Sequence, residues 1–335
     1  MHSILLCSNN SLRKSSTMQT IIIENPSDSD QRIDKFLKKY LPNITLSTLY
    51  KWLRTGKIKV NEKKVEQTYQ LDLGDSITLF IENKEIETLR QPVSPAHTIL
   101  EKKLEILYED PYFLAVNKPT GMNVHPGDHK TTEASLIELI QDQLWGRYDS
   151  LSFRPSLVHR IDRDTSGTLL IAKEKRTLDA LLSLLQNGKI EKTYHAVVVG
   201  KPIKARDTLS ANLERIENAK NEAKVIVSPW GQRAITHYAT LREGIREKYS
   251  LLECQIETGR THQIRVHMAH NNTPILGDKS YGNIPENTYA RKHFSIHRQL
   301  LHAYSLSFIH PITREKIIIT APYTHDFEQL LGLDQ

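Results

Sequence analysis

Apolar residues in the first quarter of the chain recur at helical spacing in two places. They fall three or four positions apart over residues 33–41, and again over residues 46–55, where Gly56 follows as a helix stop. Short apolar alternations then flank a turn at residues 61–64 and continue over residues 76–81. The pattern predicts a compact module of two helices and a small sheet.

The longer C-terminal part of the chain shows mainly strand patterns. Helices are predicted at residues 133–145 and 177–187. Strands are predicted at the alternating or continuous apolar runs, which are residues 104–108, 113–116, 192–199, 235–241 and 249–256, with residues 201–234 as an insertion of hairpins. We expect one larger domain over residues 101–330.

Two segments lack a clear period. Residues 83–100 contain Pro92 and Pro95 and are interpreted as a linker between domains. Residues 1–30 are interpreted as a disordered extension, and its first part is rich in serine without any acid. That composition faintly resembles a targeting segment, but a true start at Met18 is the preferred interpretation.

Charge and cysteine content narrow the class of protein. The 335 residues carry a formal charge of +6, which favours a polyanionic partner such as nucleic acid or an anionic membrane surface. No apolar run approaches the roughly 20 residues that span a bilayer. Cys7 and Cys254 are too few for a disulfide framework or a cysteine-based zinc site. We therefore expect an intracellular protein that acts in the cytoplasm.

The positive charge is concentrated in the N-terminal module, where the cations face only Asp34 and Glu62 between positions 32 and 64. These cations are Arg32, Lys35, Lys38, Lys39, Lys51, Arg54, Lys57, Lys59, Lys63 and Lys64. Such a nearly acid-free run indicates a phosphate-binding surface, and the plainer alternative is a solvated basic face. The residues that we expect to contact RNA are Lys35, Lys51, Arg54 and Lys57.

The N-terminal module resembles the S4-like RNA-binding domain, which a small-subunit ribosomal protein shares with several RNA-modifying enzymes. The resemblance is carried by Arg32-Ile33-Asp34-Lys35-Phe36-Leu37, by the run from Thr48 to Asn61, and by Leu73-Gly74-Asp75. It implies an RNA-binding domain over residues 31–82.

The most unusual stretch lies near the middle of the chain, at residues 157–173. Arg160, Asp162, Arg163 and Asp164 are grouped there between two apolar runs and next to turn residues. Burial of a carboxylate is costly unless a cation or hydrogen bonds compensate for it. Asp162 is therefore either a functional carboxylate or half of a structural ion pair at a strand end, and the residues alone leave both interpretations open.

Other chemistries have no support in the sequence. His262, His267 and His270 could suggest a metal site, but Arg260 and Arg265 are interleaved with them and the spacing matches no zinc motif. The sequence also lacks a phosphate loop, a dinucleotide fingerprint and a nucleophilic serine or cysteine motif. We expect neither a metal nor a cofactor.

Four segments resemble, in order and spacing, the signatures of the RluA-type pseudouridine synthases, and most closely the bacterial enzymes that act on large-subunit ribosomal RNA. They are Asn117-Lys118-Pro119 through Val124-His125-Pro126, the run from His159 to Gly167, Lys192-Thr193-Tyr194, and the run from Thr258 to His267. The resemblance extends over residues 31–322, with Ile161 as a departure where leucine is usual. It implies an α+β protein: the pseudouridine synthase fold, a mixed and mostly antiparallel sheet with flanking helices, plus a small N-terminal α/β RNA-binding domain.

The resemblance also implies roles for individual residues. Asp162 would be the nucleophile, kept ionised by Arg265, and Tyr194 would pack on the target base. Arg160 would fill the space in the RNA stack that the flipped uridine vacates. Supporting or RNA-contacting roles would fall to Lys118, His125 and Arg163.

Several alternatives remain open at this stage. Asp162 and Asp164 could be the acid and base of a hydrolytic N-glycosidase, which would release free uracil. The chain could instead be a non-catalytic RNA-binding factor in ribosome assembly, or a synthase that acts on transfer RNA. The basic module favours 23S ribosomal RNA as the partner. We expect a monomer, and no motif specifies which uridines are modified.

Overall fold

The computed structural model describes residues 18–90, 104–126, 134–144, 150–217 and 223–333, which form two compact units. The first unit contains residues 18–90 together with residues 150–153, and the second contains the rest of the described chain. Within these ranges, no helix is both long and apolar enough to cross a membrane.

The first unit is the predicted module of helices and small sheets. Its elements are β1 (Gln19–Ile22), β2 (Gln31–Arg32), α1 (Ile33–Tyr40), α2 (Leu46–Thr55), β3 (Ile58–Val60), β4 (Gln70–Leu71), β5 (Ser76–Leu79) and α3 (Asn83–Arg90). β5 lies between β1 and β3 in an antiparallel sheet, and β2 pairs with β4. The apolar faces of α1 and α2 share one core with the sheet, where Phe36 and Leu49 are fully buried. The exposed faces of both helices carry the cations.

The structure corrects two sequence-based boundaries of this unit. β1 lies within the expected N-terminal extension, and Ile21 in this strand and Ile23 directly after it are buried in the core. α3 lies within the expected linker and buries Ile86 in the same core. Each element contributes too few apolar positions to produce a visible period in the sequence. Residues 1–17 and 91–100, for which disorder and a linker are predicted, lie outside the described residues.

A short segment from the middle of the chain also belongs to the first unit. The buried carboxylate of Asp28 accepts hydrogen bonds from Ser150 Oγ, from the backbone N–H of Leu151, and from both N–H and Oγ of Ser152, at 2.6–2.8 Å. The expected continuous domain over residues 101–330 is therefore interrupted at residues 150–153. Serine and backbone donors that satisfy a distant carboxylate leave no periodic signal in a sequence.

The second unit is built around one large sheet. Its elements are β6 (Glu105–Glu109), β7 (Phe113–Lys118), α4 (Leu136–Gln143), β8 (Ser156–Leu157), β9 (Ser166–Ala172), α5 (Lys175–Gln186), β10 (Glu191–Val199), β11 (Arg206–Glu217), β12 (Ala223–Val227), β13 (Gln232–Ile245), β14 (Tyr249–Ile256), α6 (Gln263–His270), α7 (Ile284–Phe294), β15 (Leu301–Ile309), β16 (Lys316–Thr320) and α8 (His325–Leu331). The strand order is β12-β11-β13-β14-β10-β15-β9-β7-β6, with β16 on β15 and β8 on β9.

The pairing in this sheet confirms the predicted fold class. Among the described strands, β9 and β15 form the one parallel pair and all other pairs are antiparallel. The parallel pair is very close at Gly167, where φ is +112° and an added Cβ would lie 2.2 Å from the carbonyl O of Ala303. Only glycine permits this conformation and this approach. The start of β9 is thereby fixed, together with the loop that precedes it.

Candidate active site

Asp162 lies in the loop that joins β8 to β9. Ile161 anchors this loop in the main core of the unit, and the backbone N–H of Thr165 donates to the carbonyl O of Asp162 at 3.1 Å. The side chain of Asp162 is 24% exposed. Its carboxylate is therefore accessible from a pocket, although its backbone is held by the turn and by the neighbouring strand.

Arg265 on α6 binds Asp162 across 103 positions of sequence, with its Nη1 donating to Asp162 Oδ2 at 3.0 Å. The other side of the guanidinium forms a bidentate pair with Asp278, from Nε to Oδ2 at 2.7 Å and from Nη2 to Oδ1 at 2.9 Å. Burial opposes the charged form, but the hydrogen bonds and charges of Asp278 and Asp162 outweigh it and raise the pKa of Arg265. Arg265 is thus a permanent cation between two carboxylates.

Tyr194 enters the same site from β10. Its pairing with β15 shifts register between Thr193 and Tyr194, and the tyrosine side chain is buried in the main core. Burial, together with the charge of Asp162, raises the pKa of Tyr194 well above its usual value. The phenol is therefore neutral, and it presents an aromatic surface beside the carboxylate.

These three residues face one pocket of about 530 Å³, which lies within the described part of the second unit. The volume falls in the range of sites that enclose a small molecule or a single base. Asp162, Tyr194 and Arg265 line it together with Arg160, Lys192 and His262. The structure thus brings together the three residues predicted from the sequence to be catalytic, and it places a carboxyl group, a neutral phenol and cations around one cavity.

Lys118 is predicted from the sequence to contact RNA, but its side chain is buried and does not have the exposed position that this contact requires. The side chain is fully buried, and its Nζ donates to the carbonyl oxygens of Pro119, Met122 and Arg163 at 2.7–2.9 Å. Burial is the main cause that lowers the pKa of Lys118, to about 7. Lys118 cannot reach an RNA phosphate. It instead ties the turn after β7 to the loop that carries Asp162.

The other residues predicted to contact RNA are exposed, but they differ in whether they line the pocket. Arg160 is exposed and lines the pocket. Arg163 is exposed as well, but its Nε donates to the carbonyl O of Gly121 at 2.9 Å. His125 is exposed and does not line the pocket. In the first unit the predicted cations are all exposed, and they are Lys35, Lys51, Arg54 and Lys57.

Three further residues of the site have no role predicted from the sequence: Asp278, Tyr281 and, beyond the rejected metal site, His262. Tyr281 packs its ring against the guanidinium of Arg265, with 5.1 Å between the ring centroid and Cζ. Its hydroxyl lies 2.9 Å from His262 Nδ1. A usable signal was present in the run Gly277-Asp278-Lys279-Ser280-Tyr281-Gly282, where two glycines bracket an acid and an aromatic residue.

The histidines near α6 have other partners than a metal. His267 Nδ1 pairs with Thr236 Oγ1 at 2.9 Å, and His262 pairs with Tyr281. Over the described ranges, no group of three potential ligand residues lies close enough to hold a metal ion. That no metal or cofactor takes part stays a prediction.

A mixed sheet with a carboxylate, an arginine and a tyrosine around one pocket is the arrangement expected from the sequence resemblance, and direct sequence matches agree with it. The family described as RNA pseudouridylate synthase matches residues 112–270, and the S4 domain matches residues 31–77. The chain belongs to the RNA pseudouridylate synthase family, which confirms the predicted family and the predicted enzyme class.

Individual relatives cover almost the whole chain. It is 38% identical over 327 residues to "Ribosomal large subunit pseudouridine synthase C" of Buchnera aphidicola, covering 95% of this chain and 97% of the relative. It is 34% identical to "Ribosomal large subunit pseudouridine synthase D" of Xylella fastidiosa, over 90% and 88% of the two chains. The solved structure of human RNA pseudouridylate synthase domain containing 1 matches with a TM-score of 0.52 at 24% identity, over 70% of this chain and 86% of that one. This last likeness supports the fold.

Proposed function

We propose that this enzyme converts specific uridines of large-subunit ribosomal RNA to pseudouridine, with Asp162 as the nucleophile and with the target base flipped into the pocket. The observation that carries the proposal is the pair between Asp162 and Arg265 in a cavity that is also lined by Tyr194. The buried guanidinium stabilises the carboxylate as an anion, which is the form that attacks.

The chemistry requires only groups that this pocket provides. Pseudouridine formation breaks the bond between ribose C1′ and N1 of uracil, forms a bond from C1′ to C5, and moves the C5 proton so that N1 regains one. Oxidation state and atom count are unchanged, so no external reactant enters. Asp162 either releases uracil from the ribose or adds to the ring, and Tyr194 packs on the base. Because the phenol is neutral, it assists removal of the C5 proton as a relay, which accepts that proton at its oxygen while it passes on its own hydroxyl proton.

Base flipping follows from the depth of the site. A uridine stacked in folded RNA cannot bring its glycosidic bond to a carboxylate that is only 24% exposed, so the nucleotide must rotate out of its stack. Unstacking costs a few kcal/mol. Arg160 is exposed and lines the pocket, and we infer that it occupies the space that the base leaves.

The choice of ribosomal RNA rests on two supports. The two bacterial relatives described above are both named for the large ribosomal subunit. The exposed cations of the first unit offer a surface for phosphates, with Lys51 and Arg54 on α2 and Lys57 directly after it. We place the reaction in the cytoplasm and expect the enzyme to act as a monomer.

The experiment is to map pseudouridine across all stable RNAs in cells that carry the wild-type enzyme, Asp162→Asn, or Asp164→Asn. Asp164 lies two positions away in the same loop and has no place in the proposed chemistry. We expect Asp162→Asn to abolish pseudouridine at one or a few ribosomal positions, with a fall of at least about 10³-fold in rate. RNA binding should be retained, and Asp164→Asn should modify the same positions as the wild type.

Three results would overturn parts of the proposal. Pseudouridine at every position in Asp162→Asn cells would exclude Asp162 as the nucleophile and favour a factor that only binds RNA. Release of free uracil, with loss of activity in Asp164→Asn as well, would favour the N-glycosidase. Sites found only in transfer RNA would correct the substrate and leave the chemistry intact.

A further inference from the structure

His262 lies between the proposed nucleophile and Tyr281. Its Nε2 is 3.9 Å from Asp162 Oδ2, and its Nδ1 is 2.9 Å from the hydroxyl of Tyr281. The residue precedes α6 with φ of +55°, a left-handed conformation that is unusual for a side chain other than glycine. Such strain is maintained only where the surroundings hold the residue in place, and His262 lines the catalytic pocket.

The hydrogen bonds of Tyr281 determine which ring nitrogen of His262 carries the proton. The backbone N–H of Val225 donates to the hydroxyl O of Tyr281 at 2.9 Å. An amide can only donate, so the single hydroxyl proton of Tyr281 is available for another acceptor. Among the described residues, His262 Nδ1 is the other partner of the hydroxyl, and the assignment in which Nδ1 accepts the proton leaves both groups of this pair satisfied. A neutral imidazole that accepts at Nδ1 carries its own proton at Nε2.

The neutral state of the pair follows from its burial. Burial has the largest effect on His262 and lowers its pKa, and the positive charges of Arg265 and Arg160 lower it further. The negative charges of Asp162 and Asp278 act in the opposite direction. Burial also raises the pKa of Tyr281. Both groups are therefore uncharged near neutral pH, and the chain from Val225 through Tyr281 to His262 has one consistent arrangement of protons.

The Nε2–H of His262 is left as a donor that faces the pocket. A separation of 3.9 Å from Asp162 Oδ2 is too long for a hydrogen bond. Within the described ranges, Nε2 has no hydrogen-bond partner. A polar donor that lines the pocket beside the proposed nucleophile, and that has no hydrogen-bond partner among the described residues, is suited to an atom of the substrate.

We propose that His262 Nε2–H donates a hydrogen bond to a carbonyl oxygen of the target uracil, and that Tyr281 is the positioning residue that fixes this tautomer. The inference rests on the proposed function. When the bond from C1′ to N1 breaks with its electron pair on the base, negative charge spreads from N1 onto the carbonyl oxygens. A neutral donor in a buried pocket stabilises this charge more than it stabilises the uncharged base.

The test compares His262→Ala, His262→Gln and Tyr281→Phe in single-turnover assays on ribosomal RNA. We expect His262→Ala to lower kcat by about 10²- to 10³-fold with KM for RNA unchanged, because the donor acts on charge that develops during the reaction. His262→Gln retains an N–H donor and should recover most of this loss. Tyr281→Phe should reduce kcat much less, by roughly 2- to 5-fold, since both tautomers become populated and only part of the enzyme then carries the Nε2–H donor. His270→Gln is the matched control, because His270 is exposed at the C-terminal end of α6 and does not line the pocket.

A spectroscopic measurement separates this role from a purely structural one. In enzyme with ¹⁵N-labelled histidine, the signal that disappears in His262→Gln should show the Nε2–H tautomer, and in Tyr281→Phe it should become a mixture of both tautomers. An Nδ1–H tautomer in the wild type would overturn the inference, even if His262→Ala fails to fold. A wild-type kcat in His262→Ala would overturn it as well.

The Asp162→Asn experiment keeps the two proposals distinguishable. Loss of activity in Asp162→Asn with a wild-type rate in His262→Ala would remove the role of His262 and leave the proposed function intact. Retained activity in Asp162→Asn would remove the nucleophile, whatever the histidine variants do.

Discussion

Asp278→Asn should lower both stability and activity through its effect on Arg265, although Asp278 itself does not contact the substrate. Asp278 has no exposed side-chain surface, and it holds the guanidinium with hydrogen bonds of 2.7 and 2.9 Å. Removal of one partner from a buried ion pair costs about 3–5 kcal/mol. Asp162 still lies 3.0 Å from Nη1 and compensates for part of the charge. We therefore expect a loss of about 3 kcal/mol in the free energy of unfolding, at the low end of that range.

The same substitution should reduce activity, because Arg265 would no longer be held from behind. A displacement of about 1 Å in a catalytic constellation costs up to about 10²-fold. We expect kcat to fall by roughly 10- to 100-fold with KM for RNA unchanged. Urea unfolding gives the first quantity, and single-turnover kinetics at a temperature where the variant is folded give the second.

Asp326→Asn is the matched control, because Asp326 binds Arg298 with the same bidentate distances of 2.7 and 2.9 Å. Arg298 also donates to the carbonyl oxygens of Gln299 and Leu301, so it stays in place when Asp326 is changed. Asp326→Asn should lower stability and leave kcat within about threefold of the wild type. If Asp278→Asn unfolds like the wild type and retains its kcat, Arg265 needs no second carboxylate and the reasoning is wrong.

Three further predictions concern the sheet, the basic surface and pH. Gly167→Ala should lower the free energy of unfolding, measured in urea, by at least about 3 kcal/mol, because the new Cβ would meet the carbonyl of Ala303. Gly188→Ala, with open space around the added Cβ, should lower it by about 1–2 kcal/mol. Equal losses would show that the close approach of β9 and β15 does not matter. A triple variant replaces three cations of the basic surface by glutamine, and these are Lys51, Arg54 and Lys57. It should reduce the slope of log affinity for RNA against log salt concentration by about 2–3, with kcat at saturating RNA unchanged. An unaltered slope would show that this surface does not bind RNA. Burial lowers the pKa of His302 from 6.5 to about 4, so below pH 6.5 the unfolded chain binds more protons than the folded chain. The free energy of unfolding should therefore fall as the pH drops towards 4, and His302 alone should account for up to about 3 kcal/mol of this fall. His302→Gln should flatten that fall in urea unfolding measured at pH 7 and pH 4.5, and an unchanged slope would contradict it.

Much of the candidate active site could be predicted from the sequence because its residues lie in conspicuous surroundings. Asp162 stands out as a carboxylate between apolar runs, and Tyr194 stands at the start of a strand pattern. The prediction of Arg265 as the partner rests on the family resemblance, since Arg160 and Arg163 are the more obvious partners by their position in the sequence. Lys118 shows the opposite case: a lysine beside a turn looks like a surface cation, and its burial depends on three carbonyl oxygens that only the fold assembles.

The sequence by itself determined the helices and strands with strong periodicity, the basic surface of the first unit, and the carboxylate and tyrosine of the site. Tertiary structure decided which charges meet. Arg160 and Arg163 flank Asp162 in the chain yet are exposed, whereas Arg265, 103 positions away, is packed against it by α6. An ion pair becomes stronger where close packing excludes water. Such packing depends on which helices and strands lie next to each other in space. The orientation of Arg265 by Asp278 arises in the same way, as does the assignment of residues 150–153 to the first unit, so neither could be read from local spacing.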